Sequence, residues 1–475
     1  MNIFIKKMAF IASLVLLCLL LLNSKVIAKS KNPPIAEWNV LIFMNADNNL
    51  EPAGFINFNQ IAKVGSNDKI NVLVQFDRIG KYYKTNPNWK QTLRFRVTKG
   101  MEPNPTNALE DLGEINMGDG AALADFLIWG RQKFPAKRTM LVIWDHGQGW
   151  RIFTTSFIER ERAIRNARAL PVKDNLTLLR ATSVLLRSAE GVALDGITAS
   201  FRSAPFASYR SASNDETNND VLYNREIQDS LKTALNGQKL DIIGYDACLM
   251  AMLETAYAMK DVGNYMVASE ELEPGRGWDY EDWLKSLLTN PSQDSKSLSN
   301  LLVRSYEKTY VNGTHSDPET TLSAVDLAET TNVASTMSNL SDTLVENIGN
   351  ELQNIIEARA SSSVYAPGRQ FYHIDIKQFL DQLSRKTENP TIKNRITLAS
   401  NALSKMVVAN YAGSARQGSY GSNGLAIYFP SSESEHVNDP WAEGGYEKNN
   451  TFYPVEFVQK ERWSDFLHHL WSKVP

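Results

Sequence analysis

Cysteine is nearly absent from this chain. The 475 residues hold two, and Cys18 lies inside an apolar N-terminal run. That leaves Cys248 as the one thiol available to the folded body, so no intrachain disulfide can staple the fold. Histidine is sparse too, with six in all. No histidine–cysteine cluster has the spacing of metal ligands, so the sequence predicts no metal site of that kind. An excess of either charge is missing. A formal net charge of −3 offers nothing to nucleic acid or to an acidic membrane surface. Internal repeats and low-complexity tracts are lacking as well. What remains is 43% hydrophobic and 22% charged, an ordinary globular composition. The length buries one large core or two smaller ones.

The first residues stand apart from the fold. Lys6 and Lys7 precede an apolar run from Met8 to Leu22, and Val26-Ile27-Ala28 resembles a small-residue cleavage site. This pattern reads as a secretory signal peptide over 1–28. The run is short of the about 20 residues that a membrane span needs, so membrane contact is expected only where this segment stays uncleaved. The expected location is outside the cytoplasm, extracellular or periplasmic. Exported proteins normally pair their cysteines. A lone Cys248 is then a buried thiol, an intermolecular link or a reactive nucleophile.

Buried strands alternate with helical stretches. Trp38 to Met44 runs into the polar loop Asn45-Ala46-Asp47-Asn48-Asn49. Asn71 to Phe76 ends at Asp77, Arg138 to Trp144 ends at Asp145-His146-Gly147, and Leu240 to Tyr245 ends at Asp246-Ala247-Cys248. Gln91 to Thr98 alternates as an antiparallel element does. Helical spacing covers Glu51 to Val64, Met117 to Phe134, Val221 to Leu235 and Leu249 to Met259. The pattern predicts an open, mostly parallel α/β sheet. Ligands bind such sheets outside the carboxyl ends of the strands, which is where these polar residues fall. Ser269 to Tyr280, rich in glycine, acid and aromatic residues, has the composition of a binding loop. From Leu298 helices dominate: to Val311, Thr331 to Ala360, Ile376 to Leu383, Ile392 to Ala412 and Trp463 to Trp471. One strand, Gly424 to Phe429, is placed to rejoin the sheet.

A thiol attacks as its thiolate, so a cysteine nucleophile needs a base. His146 is the best candidate; His373 is the only serious rival. The N–H groups of Gly147 and Cys248 form a candidate oxyanion hole. A helix starting just after Cys248 would add its positive dipole end. Asp246, two residues before the thiol, points to the same side of a strand. Its expected use is reading a cationic substrate side chain, with Asp279 and Asp47 as helpers; the alternative for each is a loop cap. No nucleic-acid partner is expected, and no cofactor follows from the residues themselves.

These stretches resemble the clostripain family of cysteine peptidases, relatives of caspases, legumain and gingipains. The resemblance is carried by Asn45-Ala46-Asp47-Asn48-Asn49-Leu50-Glu51, Trp144-Asp145-His146-Gly147, Gly244-Tyr245-Asp246-Ala247-Cys248-Leu249-Met250, Ala268-Ser269-Glu270 with Gly277-Trp278-Asp279-Tyr280, and Gly424-Leu425-Ala426-Ile427-Tyr428-Phe429-Pro430. It implies a caspase-like three-layer α/β sandwich with a mostly parallel central sheet. It also implies a His146–Cys248 dyad, and an Asp246 that favours cleavage of peptide or protein substrates after arginine or lysine. It implies self-cleavage between the dyad members, and calcium for some members. The dyad spacing is wide, 248 − 146 = 102 residues. The domains expected are 29–296, catalytic, with an arginine-rich insertion at 151–213, and a helix-rich 297–475 packing on it. The insertion is a solvated helical element or a processing linker. A silent binding protein on the same fold, and a cysteine transpeptidase, are the rival functions.

Overall fold

The computed structural model describes residues 35–150, 213–312, 315–366, 371–418, 421–439, 446–450 and 455–474. The expected signal peptide and nearly all of the arginine-rich insertion lie outside the described residues.

Strand β1 (Ala36–Ala46) is buried along almost its whole length. Leu41 and Phe43 enter one core, while Val40, Ile42 and Met44 enter the other. A strand that buries both faces reads as a continuous apolar run, as central parallel strands do. Helix α1 (Glu51–Val64) follows, with Pro52 in its first turn, and leads to β2 (Ile70–Arg78). Short β3 (Leu93–Arg96) and β4 (Glu110–Asp111) come next, then α2 (Gly120–Lys133), whose first turn is capped by the Asp119 side chain. Strand β5 (Ala136–Trp144) precedes the arginine-rich stretch. After it come the hairpin β6 (Ser213–Asp215) and β7 (Asp220–Leu222), α3 (Asn224–Leu235), β8 (Leu240–Asp246), α4 (Leu253–Met259) and β9 (Gly263–Ala268).

The remainder supplies α5 (Tyr280–Thr289), α6 (Ser295–Tyr310), β10 (Thr321–Asp326), α7 (Thr330–Glu346), α8 (Ile348–Ala360) and β11 (His373–Asp375). Then come α9 (Ile376–Lys386), α10 (Pro390–Met406), β12 (Val407–Ala412), β13 (Ala426–Tyr428), α11 (Glu433–Val437), α12 (Glu456–Lys460) and α13 (Trp463–Trp471).

Nine strands form one sheet in the order β12-β10-β9-β8-β5-β1-β2-β3-β4. The five at its centre, β9 to β2, are mutually parallel. Both flanks are antiparallel. Phe55, Trp283 and Tyr306 cover one face, from α1, α5 and α6. Phe126, Leu231, Ala256 and Met337 cover the other, from α2, α3, α4 and α7. This is the expected three-layer sandwich. The chain order reverses between β1 and β5, which makes their carboxyl ends the switch-point crevice of the sheet. Among the described residues no helix is long and apolar enough to cross a membrane.

Local expectations fail in four places. The stretch from Thr331 to Ala360 is two helices, because Asn347 ends one and begins the next. Helix α10 stops at Met406, and Val407 to Ala412 instead pairs with β10 as an edge strand. Its β-branched and aromatic residues suit that role. The region after residue 296 therefore extends the central sheet as well as packing on it. Strand β13 does not rejoin that sheet but pairs with β11. The start of α4 captures it, since Met252 bridges Ala426 and Glu254 accepts a hydrogen bond from the Tyr428 N–H. Finally, α4 begins at Leu253, not directly after Cys248.

Candidate active site

Strands β5 and β8 lie side by side, with Trp144 opposite Asp246. His146 and Cys248 each stand two residues further on, so equal counts from one register pair bring them to adjoining strand ends. The ladder continues past the strands, with the Asp145 N–H 3.3 Å from the Asp246 carbonyl. Both side chains line one cleft. His146 is held by the loop after β1: its Nε2 lies 2.8 Å from Asn49 Oδ1. Asp145 is buried beside it and accepts from the His146 N–H at 2.6 Å, from Asn48 Nδ2 at 2.9 Å and from the Asn214 N–H. Burial pushes the Asp145 carboxyl well up. Asn48 also donates to the Asn214 carbonyl at 2.8 Å. The turn carrying His146 is thus tied to β6, the first strand described beyond residue 150.

Gly147 packs on the Cys248 backbone. Its φ is not in the left-handed region, so the position demands room and not unusual backbone freedom. The residue after the thiol does carry strain: Leu249 is fully buried at φ 62, a conformation that bulky residues avoid. Its N–H donates to the Glu271 carbonyl at 3.1 Å. The helix dipole expected at Cys248 is too distant to act, since α4 starts five residues on and dipole effects fade within a turn. A nearer donor takes its place: the Glu273 N–H points at Cys248 Sγ, 3.2 Å away.

Asp246 forms an end wall of the cleft, with Glu273, Gly275 and Gly277 from the loop after β9. Tyr280 Oη donates to its Oδ2 at 2.8 Å and the Trp278 N–H at 3.3 Å. Gly277 has φ 62, and a β-carbon there would stand 2.5 Å from Asp246 Oδ1. Only glycine fits on both counts. Burial pushes the Asp246 carboxyl up to about 6. Burial and the adjacent Asp246 charge hold Glu273 well above the usual carboxylate range. Two buried acids thus share one pocket, and no basic side chain forms an ion pair with either among the described residues.

The remaining sequence candidates lie elsewhere. Asp279 caps α5, accepting from the Asp282 N–H at 3.1 Å, and is not among the cleft-lining residues. Asp47 is not among the cleft-lining residues and clips the chain after β6, accepting from Thr217 Oγ1 at 2.6 Å and the Thr217 N–H at 3.0 Å. With Glu114 and Asp215 it forms a cluster whose carboxylate oxygens lie within 4.8 Å of one another. Burial, with like-charge repulsion behind it, raises Asp47 to about 6 and Glu114 to about 7. Buried Asp77 feels the charges of all three, and among the described residues its Oδ2 has no hydrogen-bond partner. His373, the rival base, lies in β11 and does not line the cleft. Sequence reasoning assigned no role to Asn49 or Glu273. Both lie in strand-end loops whose composition marked them for binding.

The clostripain family matches residues 42–164 and 199–471. Clostripain of Hathewaya histolytica is 23% identical over 460 residues, covering 86% of this chain and 77% of that protein. A secreted C11 cysteine protease from Bacteroides thetaiotaomicron, solved with an irreversible peptide inhibitor, superposes with a TM-score of 0.52 at 15% identity. It covers 86% of this chain and 97% of that one. An inactive zymogen C11 protease from Parabacteroides distasonis gives 0.51 at 18% identity, covering 84% and 93%. At these identities the solved structures speak to the fold. The family match spans most of the chain and both strand ends that carry the histidine and the thiol, so the chain belongs to the clostripain family and is a cysteine peptidase.

Proposed function

We propose that the protein is an exported endopeptidase that cuts after arginine or lysine, with Cys248 as nucleophile and His146 as base. The observation that carries this is one cleft holding both strand ends and, beside the thiol, the buried Asp246–Glu273 pair. Two buried acids without an ion-paired cation suit a guanidinium, which binds carboxylates in a planar, bidentate way.

The His146 imidazole takes the Cys248 proton, and Sγ adds to the scissile carbonyl carbon. The new oxyanion is received by the Gly147 and Cys248 N–H groups, each worth about 3 kcal/mol of barrier. As the C–N bond breaks, the imidazolium gives its proton to the leaving amine. Water, deprotonated by the same imidazole, then attacks the thioester, the C–S bond breaks, and the acid product leaves. Asn49, at His146 Nε2, holds the ring so that Nδ1 faces the thiol, as the third member of a Cys-His-Asn arrangement does.

Calcium belongs with Asp47, Glu114 and Asp215. Their donor set is all hard oxygen, which suits calcium, and the orphaned Asp77 oxygen beside them is the kind of group a cation satisfies. The ion would supply positive charge that lets the four carboxylates stay ionised together. These residues would thereby hold the chain after the insertion against the β1 loop.

Self-cleavage is proposed within the arginine-rich stretch between the dyad members. The Asn48 and Asp145 bonds to Asn214 would keep the new end in place after the cut. The test is a panel of peptides with arginine, lysine, aspartate or asparagine before the cut, run with the parent chain and Cys248→Ala. Equal turnover across the panel, or turnover that survives Cys248→Ala, would sink the reading.

A further inference from the structure

His436, Glu447 and His468 come from three separate parts of the C-terminal region, yet one ligand atom of each lies within 4.8 Å of the others. His436 sits on α11 and His468 on α13, and Glu447 bridges them. Its Oε1 is 3.0 Å from His436 Nε2 and its Oε2 is 3.2 Å from His468 Nε2. Zinc bonds of about 2.0–2.2 Å in a tetrahedron put neighbouring ligand atoms about 3.3–3.6 Å apart. The two histidine–glutamate spacings, each to its own carboxylate oxygen, fall a few tenths of an ångström short of this, and the third lies within 4.8 Å.

The surroundings are those of a ligating imidazole. His436 Nδ1 is 3.1 Å from Tyr428 Oη, and that hydroxyl lies 3.3 Å from Asp439 Oδ2. If the hydroxyl donates to Asp439, it accepts the Nδ1 proton, which leaves the Nε2 lone pair facing Glu447. Such outer bonds fix the tautomer of metal-bound histidines. The Trp471 ring stacks on His436 at 4.9 Å and so fixes the ring plane. Histidine 436 is buried, whereas His468 is 40% exposed, so one side of the cluster opens to solvent for entry and for a fourth, water ligand.

We propose that His436 Nε2, Glu447 and His468 Nε2 bind one zinc ion, which fastens α13 to α11. Two imidazoles and a carboxylate are borderline donors, which favour zinc over the hard cations. The site is remote in sequence from the dyad, and the proposal does not rest on how the cleft works. Without a metal, the same atoms form only a histidine–glutamate–histidine ion-pair cluster.

The experiment uses the full chain carrying Cys248→Ala, which removes the other strong zinc ligand, with calcium in excess. Zinc is titrated against a chromophoric chelator, cobalt(II) absorption reports geometry, and thermal melting reports stability. One zinc per chain, tetrahedral cobalt bands and a zinc-dependent rise in Tm are expected. His468→Ala and Glu447→Gln, both at partly exposed positions, should each weaken binding at least tenfold and abolish the rise. Binding that is equally tight in those variants, or no stoichiometric binding in the parent, overturns the proposal.

Discussion

A β-carbon on Gly147 would stand 2.2 Å from the Cys248 carbonyl oxygen and 2.9 Å from its amide nitrogen. The two strand ends are therefore in backbone contact, and no side chain of any size fits between them. Gly147→Ala must push the turns apart and misplace the proposed oxyanion donors. Losing one such donor costs about 10²–10³ in kcat. Steady-state kinetics should show kcat down by about 10²-fold, with the circular dichroism of the fold retained. Near-normal kcat would mean that the Gly147 N–H takes no part.

In the proposed mechanism Asn49 acts on the imidazole, 2.8 Å from His146 Nε2, and not on the substrate. Asn49→Ala should lower kcat about tenfold, or about 1.4 kcal/mol, and leave KM close to its parent value. The acid limb of the pH–rate profile should also move, since the imidazole loses a fixed partner; a merely structural role would not move it. An unchanged pH profile would remove Asn49 from the mechanism.

Specificity should depend on pH through the acid pair. Asp246 loses its proton as pH rises through about 6, and its ionised form attracts a guanidinium where the neutral acid does not. The ratio of kcat/KM for an arginyl over a leucyl substrate should therefore climb from about pH 5 to about pH 7. Taking the ratio cancels the dyad's own titration. Asp246→Asn should flatten it and cut arginyl kcat/KM by about 10²-fold or more.

The same residue carries a stability cost. The Asp246 carboxyl is pushed from 3.8 up to about 6 in the folded state. The native state then binds the proton more tightly than the unfolded one, so stability falls as pH rises across that interval. Asp246→Asn should melt higher than the parent near neutrality, and the gap should close near about pH 4. A gap independent of pH would show that Asp246 is not a strained buried acid.

Calcium should raise Tm in the parent and in Cys248→Ala alike, because the role proposed for it is to hold loops. Asp215→Asn should lose most of that rise. A calcium response unaltered by Asp215→Asn would move the site elsewhere.

The sheet was readable because its central strands bury both faces and end on polar loops, as Val40 to Met44 and Asn45 illustrate. The thiol and histidine were readable because both end such strands. What failed depended on tertiary pairing. Val407 to Ala412 continues a helical spacing but is pulled into an edge strand by β10. Asp279 sits in a binding-type loop but serves the backbone of α5. Glu273 could not be distinguished from its neighbours Glu270 and Glu271 by composition. Only the fold shows that it shares a pocket with Asp246. His436 and His468 are 32 residues apart in the sequence (468 − 436), and only the fold sets them on one carboxylate.

The most direct measurement is intact and peptide-level mass spectrometry after reaction with a peptidyl chloromethyl ketone ending in arginine. One adduct per chain is predicted, on Cys248, with slow or no labelling by the aspartyl analogue and none in His146→Ala over the same time. An adduct on another residue, or equal labelling by the aspartyl reagent, would contradict both the nucleophile and the pocket assigned to it.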